Sequence, residues 1–227
     1  MRISPAPILV IGVLWVAASC AHSNSSPAQT AAKPYTVLDD QGSQLRADFN
    51  RRVGTVRLLF VIDPICPTCL RGLDDMNRDL LEGTVDPRLQ TFVVHEPVLG
   101  TARASPWSRA AVGTDALKAA QLLHNPQVQH YWNSSGAFGQ LLSQAVGLKN
   151  SERAVYAWDV WLIYGPKAKW EGTNPPRPLL LMNQLGALRG STEFPRLDSH
   201  VFAQQVQALL AQLPPLTATP APAHSPQ

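Results

Sequence analysis

A run of apolar residues at 55–62, TVRLLFVI, leads into a stretch in which apolar residues recur at helical spacing. A continuous run rich in valine and isoleucine is typical of a strand that is buried on both faces. Apolar residues then recur every three or four positions over 70–80, which predicts a helix from about Cys66 to Gly83. The apolar run LQTFVV at 89–94 predicts another strand, which completes a right-handed βαβ unit.

The segments on either side of this unit alternate between strand and helix patterns. YTVL at 35–38 predicts a short strand before the unit. The alanine- and leucine-rich segment 108–125 is helical in pattern, and 126–147 predicts one or two shorter helices. Aromatic and β-branched residues at 154–165 predict a strand.

The C-terminal part predicts a hairpin followed by a helix. PLLLM at 178–182 and ALRG at 187–190 form two short strands around an NQLG turn. Apolar positions at helical spacing over 199–213 predict a closing amphipathic helix. The whole order is β, β, α, β, a helical insert, β, β, β, α, which is an α/β protein.

The N-terminus carries the features of an export signal. Arg2 precedes an apolar run at 8–18, which is too short to span a bilayer and suits the core of a signal peptide. Small residues at 17–19 precede Cys20, and this arrangement resembles a bacterial lipoprotein signal, in which the cysteine is lipidated. Ala21 after that cysteine favours delivery to the outer membrane. An ordinary secretory signal is the alternative, and both predict an exported protein of the cell envelope or periplasm.

Composition then bounds the folded part. Residues 20–34 predict a flexible tether and 214–227 a disordered Pro/Ala tail, which leaves a domain at 35–213 after the signal peptide at 1–19. The chain of 227 residues is 45% hydrophobic, which suits one full-sized domain. A net charge of +3 without a basic run gives nucleic-acid binding little support.

The cysteines carry the candidate chemistry. With Cys20 lipidated, the domain retains only Cys66 and Cys69, and a single pair does not make a disulfide-stapled scaffold. A thiolate is the species that attacks a disulfide, and a helix N-terminus lowers the pKa of a thiol. We therefore expect Cys66 to be the exposed nucleophile and Cys69, one turn inside, to resolve the mixed disulfide. Pro67 suits the first helical turn.

The motif DPICPTC, with a strand before it and a helix after it, resembles the catalytic domains of DsbC/DsbG-type periplasmic disulfide isomerases. The resemblance covers about Val56 to Leu213. It implies a thioredoxin-like fold with a helical insert, at about 105–150, between the βαβ half and the closing β-hairpin–helix half. It also implies disulfide exchange with client proteins that contain cysteines, a membrane redox partner that recycles the dithiol, and no cofactor. The short tether leaves no room for the dimerisation domain of those isomerases, so we expect a membrane-tethered oxidant or reductant.

The resemblance further implies a cis proline that faces the cysteines and frees the preceding backbone to pair with a substrate. Pro178 is the candidate because it directly precedes a predicted strand, and Pro176 is the alternative. The alternative is that this proline is trans, begins an edge strand and has no role in substrate binding. Arg177 would then lie near Cys66 and stabilise its thiolate, unless it is simply a solvated side chain.

Other residues of the motif have smaller expected roles. Pro64 sets the turn between strand and helix, and Asp63 either caps the helix or acts electrostatically on the cysteines. The Pro67-Thr68 dipeptide tunes the redox potential without fixing it. Thioredoxin has a buried acid six residues before its first cysteine, whereas this chain has Phe60, so no buried proton acceptor is predicted there.

Two rival functions remain open. A structural zinc site needs four ligands, usually from two cysteine pairs, and only one pair is present, so no metal is predicted. His95 and Glu96 close a predicted strand and are either loop residues or part of a substrate groove. The non-enzymatic alternative is a thioredoxin-fold lipoprotein that serves as a scaffold or binding module in an envelope secretion or conjugation assembly.

Overall fold

A computed structural model describes residues 34–101, 109–123, 125–150 and 153–215. The strands are β1 (Thr36–Val37), β2 (Val56–Ile62), β3 (Leu89–His95), β4 (Val128–Trp132), β5 (Lys149–Asn150), β6 (Arg153–Ala154), β7 (Val160–Tyr164) and β8 (Leu180–Asn183). The α-helices are α1 (Ser43–Arg51), α2 (Pro67–Met76), α3 (Gly113–Ala120), α4 (Ala137–Val146) and α5 (Ser199–Ala211). A π-helical turn at Asn77–Leu81 prolongs α2, and a 3₁₀ turn occupies Gly186–Leu188. Among these described residues, no helix has the length and apolar character needed to cross a membrane.

Six strands form the central sheet in the order β1-β4-β3-β2-β7-β8. Strands β1, β4, β3 and β2 are parallel, whereas β7 runs antiparallel to β2 and β8 antiparallel to β7. A βαβ unit joined edge to edge with an antiparallel hairpin and a closing helix is the thioredoxin-like fold. The predicted fold class is therefore confirmed.

The sheet separates two hydrophobic cores because its central strands are apolar on both faces. All residues of β2, β3 and β7 are buried. Leu59 and Val61 of β2 pack on the side of α1 and α4, while Leu58, Phe60 and Ile62 pack on the side of α2 and α5. Each fully buried aliphatic or aromatic side chain contributes about 1.5–3 kcal/mol, so these strands anchor the fold.

The segment predicted as a purely helical insert contains a strand as well. Residues 126–147 were expected to form one or two helices; α4 is present, but β4 occupies Val128–Trp132 and pairs in parallel with β3. The run VQHYW mixes polar and aromatic residues without a clear period, and its pairing with β3 decides its conformation. The prediction of helix at β4 was wrong for this reason.

Two further local predictions were incomplete. Helix α1 was not predicted, because in SQLRADFNR only Leu45 and Phe49 provide an apolar face. The strand predicted at 187–190 is wrong, since the 3₁₀ turn starts at Gly186 instead. The side chain of Asn183 bends the chain here by accepting the Leu185 N–H at 2.9 Å and donating to the Phe194 carbonyl at 2.8 Å. The closing hairpin consists of β7 and β8.

Candidate active site

The cysteine pair lies where β2 gives way to α2. Cys66 is the N-cap of α2, with Pro67 in the first turn, and its extended backbone (φ −79°, ψ 118°) turns the sulfur back over the helix start. The Cys66 Sγ accepts the Cys69 backbone N–H at 3.4 Å and lies 3.0 Å from the Thr68 hydroxyl oxygen. The predicted position of both cysteines at the helix N-terminus is confirmed.

Hydrogen bonds and burial shift the pKa values of the two thiols in opposite directions. A hydrogen bond from the Cys69 thiol, helped by Thr68 and the backbone N–H groups, lowers the pKa of Cys66 to about 6 against the opposing effect of burial. Burial raises the pKa of Cys69 well above its ordinary value of 9.0. Cys66 is thus mostly a thiolate at neutral pH while Cys69 stays a thiol, which suits a nucleophile and a resolving group.

The Cys66 sulfur is less accessible than the sequence predicts. Cys66 was expected to be exposed, but only 3% of its surface is in contact with solvent. It belongs to the α2-side core, against which Leu70, Leu99 and Trp158 pack as partly buried neighbours. Access to this sulfur from solvent requires some of the side chains around it to move.

Asp63 holds the loop beside the cysteines. Its buried carboxylate accepts the backbone N–H groups of Ile65 at 2.9 Å, Val98 at 2.8 Å and Leu99 at 2.7 Å. The residue that caps α2 is Cys66, so the helix-capping role considered for Asp63 is wrong. By fixing both the Ile65 turn and the Val98–Leu99 segment, Asp63 shapes the mouth of the site.

Pro178 and Arg177 lie at the opposite end of the sheet from the cysteines. Val61, near the end of β2, pairs with Val160 at the start of β7, and Val160 pairs with Asn183 at the end of β8. Pro178 instead precedes the start of β8. The Leu179 N–H binds the Ile163 carbonyl at 2.8 Å, which fixes the proline there. At about 3.3 Å per residue, β8 alone separates the two ends by roughly 10 Å.

The assignments of Pro178 as the substrate-docking proline and of Arg177 as a cation beside Cys66 were therefore wrong. Pro176, the alternative, lies on the same far segment, and the described residues contain no cis peptide bond. The strand that faces the cysteines is β7 rather than β8. The position of a proline before a strand can be read from the sequence. It does not show which strand pairs with β2, so the prediction failed.

The residue that does lie beside the cysteines is Asp159, directly before β7. It has a positive φ of 52°, which excludes proline, whose ring fixes φ near about −65°. Only 2% of its surface is exposed. A carboxylate oxygen of Asp159 and the sulfurs of Cys66 and Cys69 all lie within 4.8 Å of one another.

The environment of Asp159 favours its protonated form. Burial, and then the charge of Cys66, raise the pKa of this carboxyl to about 7. With its amide nitrogen turned toward its two acceptors, Gln184 donates to Asp159 Oδ1 at 2.7 Å and to the Thr68 carbonyl at 3.2 Å. Sequence reasoning missed Asp159 because a single acid inside the aromatic run AVYAWDVWLIYG gives no periodic signal.

The same three side chains are the best place for a metal ion among the described residues. Their donor atoms are close enough to surround one ion, and two thiolates with a carboxylate suit zinc chemically. A structural zinc site uses four ligands, and this group offers three. The donor set therefore fits a dithiol site better than a structural metal site.

His95 and Glu96 are buried and serve internal contacts. The His95 ring stacks on His130 with centroids 5.3 Å apart, and the His95 Nε2 and His130 Nδ1 atoms are 3.1 Å apart. Burial lowers the pKa of both, that of His130 to about 4. Glu96 accepts the Gly139 N–H at 2.8 Å and also binds the Tyr156 hydroxyl. Cys20, the signal peptide and almost all of the tether and tail lie outside the described residues.

Comparison with known proteins adds little beyond the fold. No protein-family model and no curated protein sequence matches the chain. One similar solved structure is mycobacterial (MTB) DsbF in mixed oxidised and reduced forms, with 11% identity, coverage of 70% of this chain and 84% of that chain, and a TM-score of 0.39. A second is a secreted Mycobacterium tuberculosis disulfide oxidoreductase homologous to E. coli DsbE, with 11% identity, coverage of 70% and 85%, and a TM-score of 0.39. Similarity at this level carries no function to this chain.

Proposed function

We propose that this protein is a thiol–disulfide oxidoreductase of the cell envelope that exchanges disulfides with client proteins through Cys66 and Cys69. The observation that supports this most strongly is the difference in pKa between Cys66 and Cys69, which lie within one helical turn. The Cys66 sulfur receives hydrogen bonds that lower its pKa to about 6, while burial keeps Cys69 protonated. A structural pair of thiols has no need of this difference.

The exchange follows from these roles. The Cys66 thiolate attacks one sulfur of a client disulfide, the client S–S bond breaks, and one client sulfur leaves as a thiolate. Cys69 then attacks Cys66, which forms the Cys66–Cys69 disulfide and releases the second client thiolate. Two electrons pass from the dithiol to the client, and the reverse sequence oxidises a client.

The acidity of Cys66 also bounds the redox potential. A low thiol pKa stabilises the reduced form and makes the disulfide more oxidising. The pKa of about 6 lies between values of about 7 for thioredoxin and about 3.5 for DsbA. We therefore expect a potential between about −270 and −120 mV, the values of those two proteins.

The proposal includes a location and partners. Export and a lipid anchor on Cys20 would place the domain at an envelope membrane, where a membrane redox partner would recycle its dithiol. The support is the order of the N-terminal sequence, in which a positive residue, an apolar run and small residues precede that cysteine. Loss of membrane attachment in a Cys20→Ala variant would test the anchor.

The division of roles can be tested with oxidised glutathione on the chain from residue 20 with Cys20→Ser. The Cys69→Ser variant should accumulate a glutathione adduct on Cys66, seen by mass spectrometry, because no second thiol resolves it. The Cys66→Ser variant should remain unmodified, since Cys69 is buried and protonated at neutral pH. Equal modification of the two variants would contradict the assigned roles. Absence of any adduct would argue against an oxidoreductase and leave the scaffold function.

A further inference from the structure

The proposed exchange leaves one proton without an acceptor. Cys69 must become a thiolate before it can attack the mixed disulfide, yet it is fully buried and burial raises its pKa far above neutral. Phe60 occupies the position where thioredoxin has its buried acid, so the strand before the cysteines offers no base. The resolving thiol therefore needs a proton acceptor from another element.

We propose that Asp159, at the start of β7, accepts the Cys69 proton when Cys69 attacks the mixed disulfide and returns it when the disulfide is reduced. This inference rests on the proposed function. Asp159 would then be a catalytic residue supplied by the position directly before β7, the antiparallel neighbour of β2.

Geometry supports the assignment first. One carboxylate oxygen of Asp159 lies within 4.8 Å of both sulfurs, so a small side-chain movement brings it into hydrogen-bond reach of Cys69. Gln184 holds the carboxylate by its side chain, and its backbone N–H binds the Asp159 carbonyl at 3.0 Å. Gln184, directly after β8, thus holds Asp159 beside the two sulfurs.

Backbone conformation points the same way. Asp159 is the only non-glycine residue with positive φ in the part of the chain that the structure describes. Such a conformation is uncommon for side-chain-bearing residues, and unfavourable backbone conformations are concentrated at functional sites. Here it places a buried acid against two buried sulfurs.

The charges around Asp159 change its pKa between the dithiol form and the mixed disulfide. The titratable and charged side chains that act on it are Cys66 and Cys69 from α2 and Arg196 from the segment before α5. In the dithiol form the Cys66 charge helps to raise the pKa of Asp159 to about 7. In the mixed disulfide Cys66 carries no charge, so the pKa falls below that value. This fall favours the ionised carboxylate at the step in which Cys69 must lose its proton.

The step balances without another reagent. The Cys69 S–H bond breaks and its proton passes to an Asp159 carboxylate oxygen. The sulfur electron pair forms the Cys69–Cys66 bond while the Cys66–client S–S bond breaks, and the client sulfur leaves as a thiolate. Asp159 then loses its proton to solvent or to the departing thiolate.

Stopped-flow mixing with dithiodipyridine separates the two thiol steps on the chain from residue 20 with Cys20→Ser. The first phase is attack by Cys66 and the second is closure by Cys69, and each releases one absorbing thiopyridone. We expect Asp159→Asn to slow the second phase about 100-fold at neutral pH, at the low end of what a positioned proton acceptor contributes, with little change in the first phase. Asparagine tolerates positive φ, so the variant should keep the fold.

Two further measurements make the test specific. In the unmodified protein the second-phase rate should rise through an ionisation at or below pH about 7 and then level off, whereas in Asp159→Asn it should rise in proportion to hydroxide. Asp74→Asn, an exposed acid on α2, is the matched control and should leave both phases unchanged. A second phase in Asp159→Asn within about twofold of the unmodified protein would overturn the inference and leave the oxidoreductase intact. Absence of a second phase in the unmodified protein would instead contradict the proposed function.

Discussion

An ionisable side chain is buried at each end of the central sheet, and the two are surrounded by different groups. At the end away from the cysteines, Arg57 of β2 donates to the carbonyls of Phe49, Gly165, Pro166 and Ala168 at 2.6–3.2 Å. At the other end, a carboxylate oxygen of Asp159 lies within 4.8 Å of the sulfurs of Cys66 and Cys69. The Arg57 guanidinium keeps its charge and is hydrogen-bonded to backbone carbonyls. The Asp159 carboxyl, in contrast, can gain or lose a proton near neutral pH.

The contrast shows how a buried charge can be assigned a role. Arginine stays protonated even when burial lowers its pKa to about 10, so Arg57 can only bind and hold. The carboxyl of Asp159 has its pKa raised into the neutral range and lies beside the sulfurs of Cys66 and Cys69. Burial alone does not show whether an ionisable side chain has a structural or a chemical role. The groups that contact the side chain do show this.

Loss of Arg57 should have the largest effect on stability. In Arg57→Met four buried or half-buried carbonyls lose their donor, and an unsatisfied buried acceptor costs about 1–3 kcal/mol. Allowing for water at some of them, we expect the free energy of unfolding in urea to fall by about 3–5 kcal/mol. The pKa of Cys66 should not change in this variant. A loss below about 1 kcal/mol would mean that Arg57 does not tie α1 to the 165–168 loop.

The cysteine end should make stability depend on pH through buried His95 and half-buried His130. An unfolded histidine titrates near about 6.5, whereas His130 in the fold has a pKa of about 4. Between these values the unfolded state binds the extra proton, so stability falls as pH falls from about 6.5 to 4. The full loss from His130 is on the order of 3 kcal/mol.

Comparison of the unmodified protein with His130→Gln isolates this contribution, because Asp159 titrates in the same range with the opposite sign. Its raised pKa makes the folded state bind more protons as pH falls. We expect the difference in unfolding free energy between the two proteins to change with pH over this window. A constant difference would show that the His95–His130 pair is charged or accessible in the fold.

Thr68 should have a smaller, local effect. Its hydroxyl lies 3.0 Å from the Cys66 sulfur and helps to lower the pKa of that thiol. Thr68→Val keeps the shape and removes the donor, so the pKa of Cys66 should rise from about 6 toward its ordinary value of 9.0. A titration of thiolate absorbance in the ultraviolet measures this directly. An unchanged midpoint would assign the stabilisation of the thiolate to Cys69 and the backbone alone.

Arg177→Ala should do nothing at the cysteines, and this is the smallest expected effect. Arg177 is exposed and lies beyond the start of β8, so its charge is screened and distant from Cys66. Neither the thiolate titration nor the urea midpoint should move beyond error. A rise in the pKa of Cys66 would place Arg177 at the active site after all and overturn the strand register described above.

Sequence reasoning was strongest where the signal was local. The apolar runs of β2 and β3 and the helical spacing of α2 identified the βαβ unit and the position of both cysteines. It failed where the partner of a strand decided the outcome. Pro178 precedes a strand, but only the pairing of β2 with β7 reveals that Asp159 is the residue that faces the cysteines. Strand β4 likewise depends on its pairing with β3.

The redox equilibrium of the Cys66–Cys69 pair tests the central claim most directly. The chain from residue 20 with Cys20→Ser would be equilibrated in glutathione buffers, and its free thiols counted by the mass added on alkylation. We predict a single two-electron transition at a potential between about −270 and −120 mV, absent when either Cys66 or Cys69 is replaced by serine. A pair that stays reduced across the whole range of buffers, or thiols that react only after zinc is removed, would contradict the account.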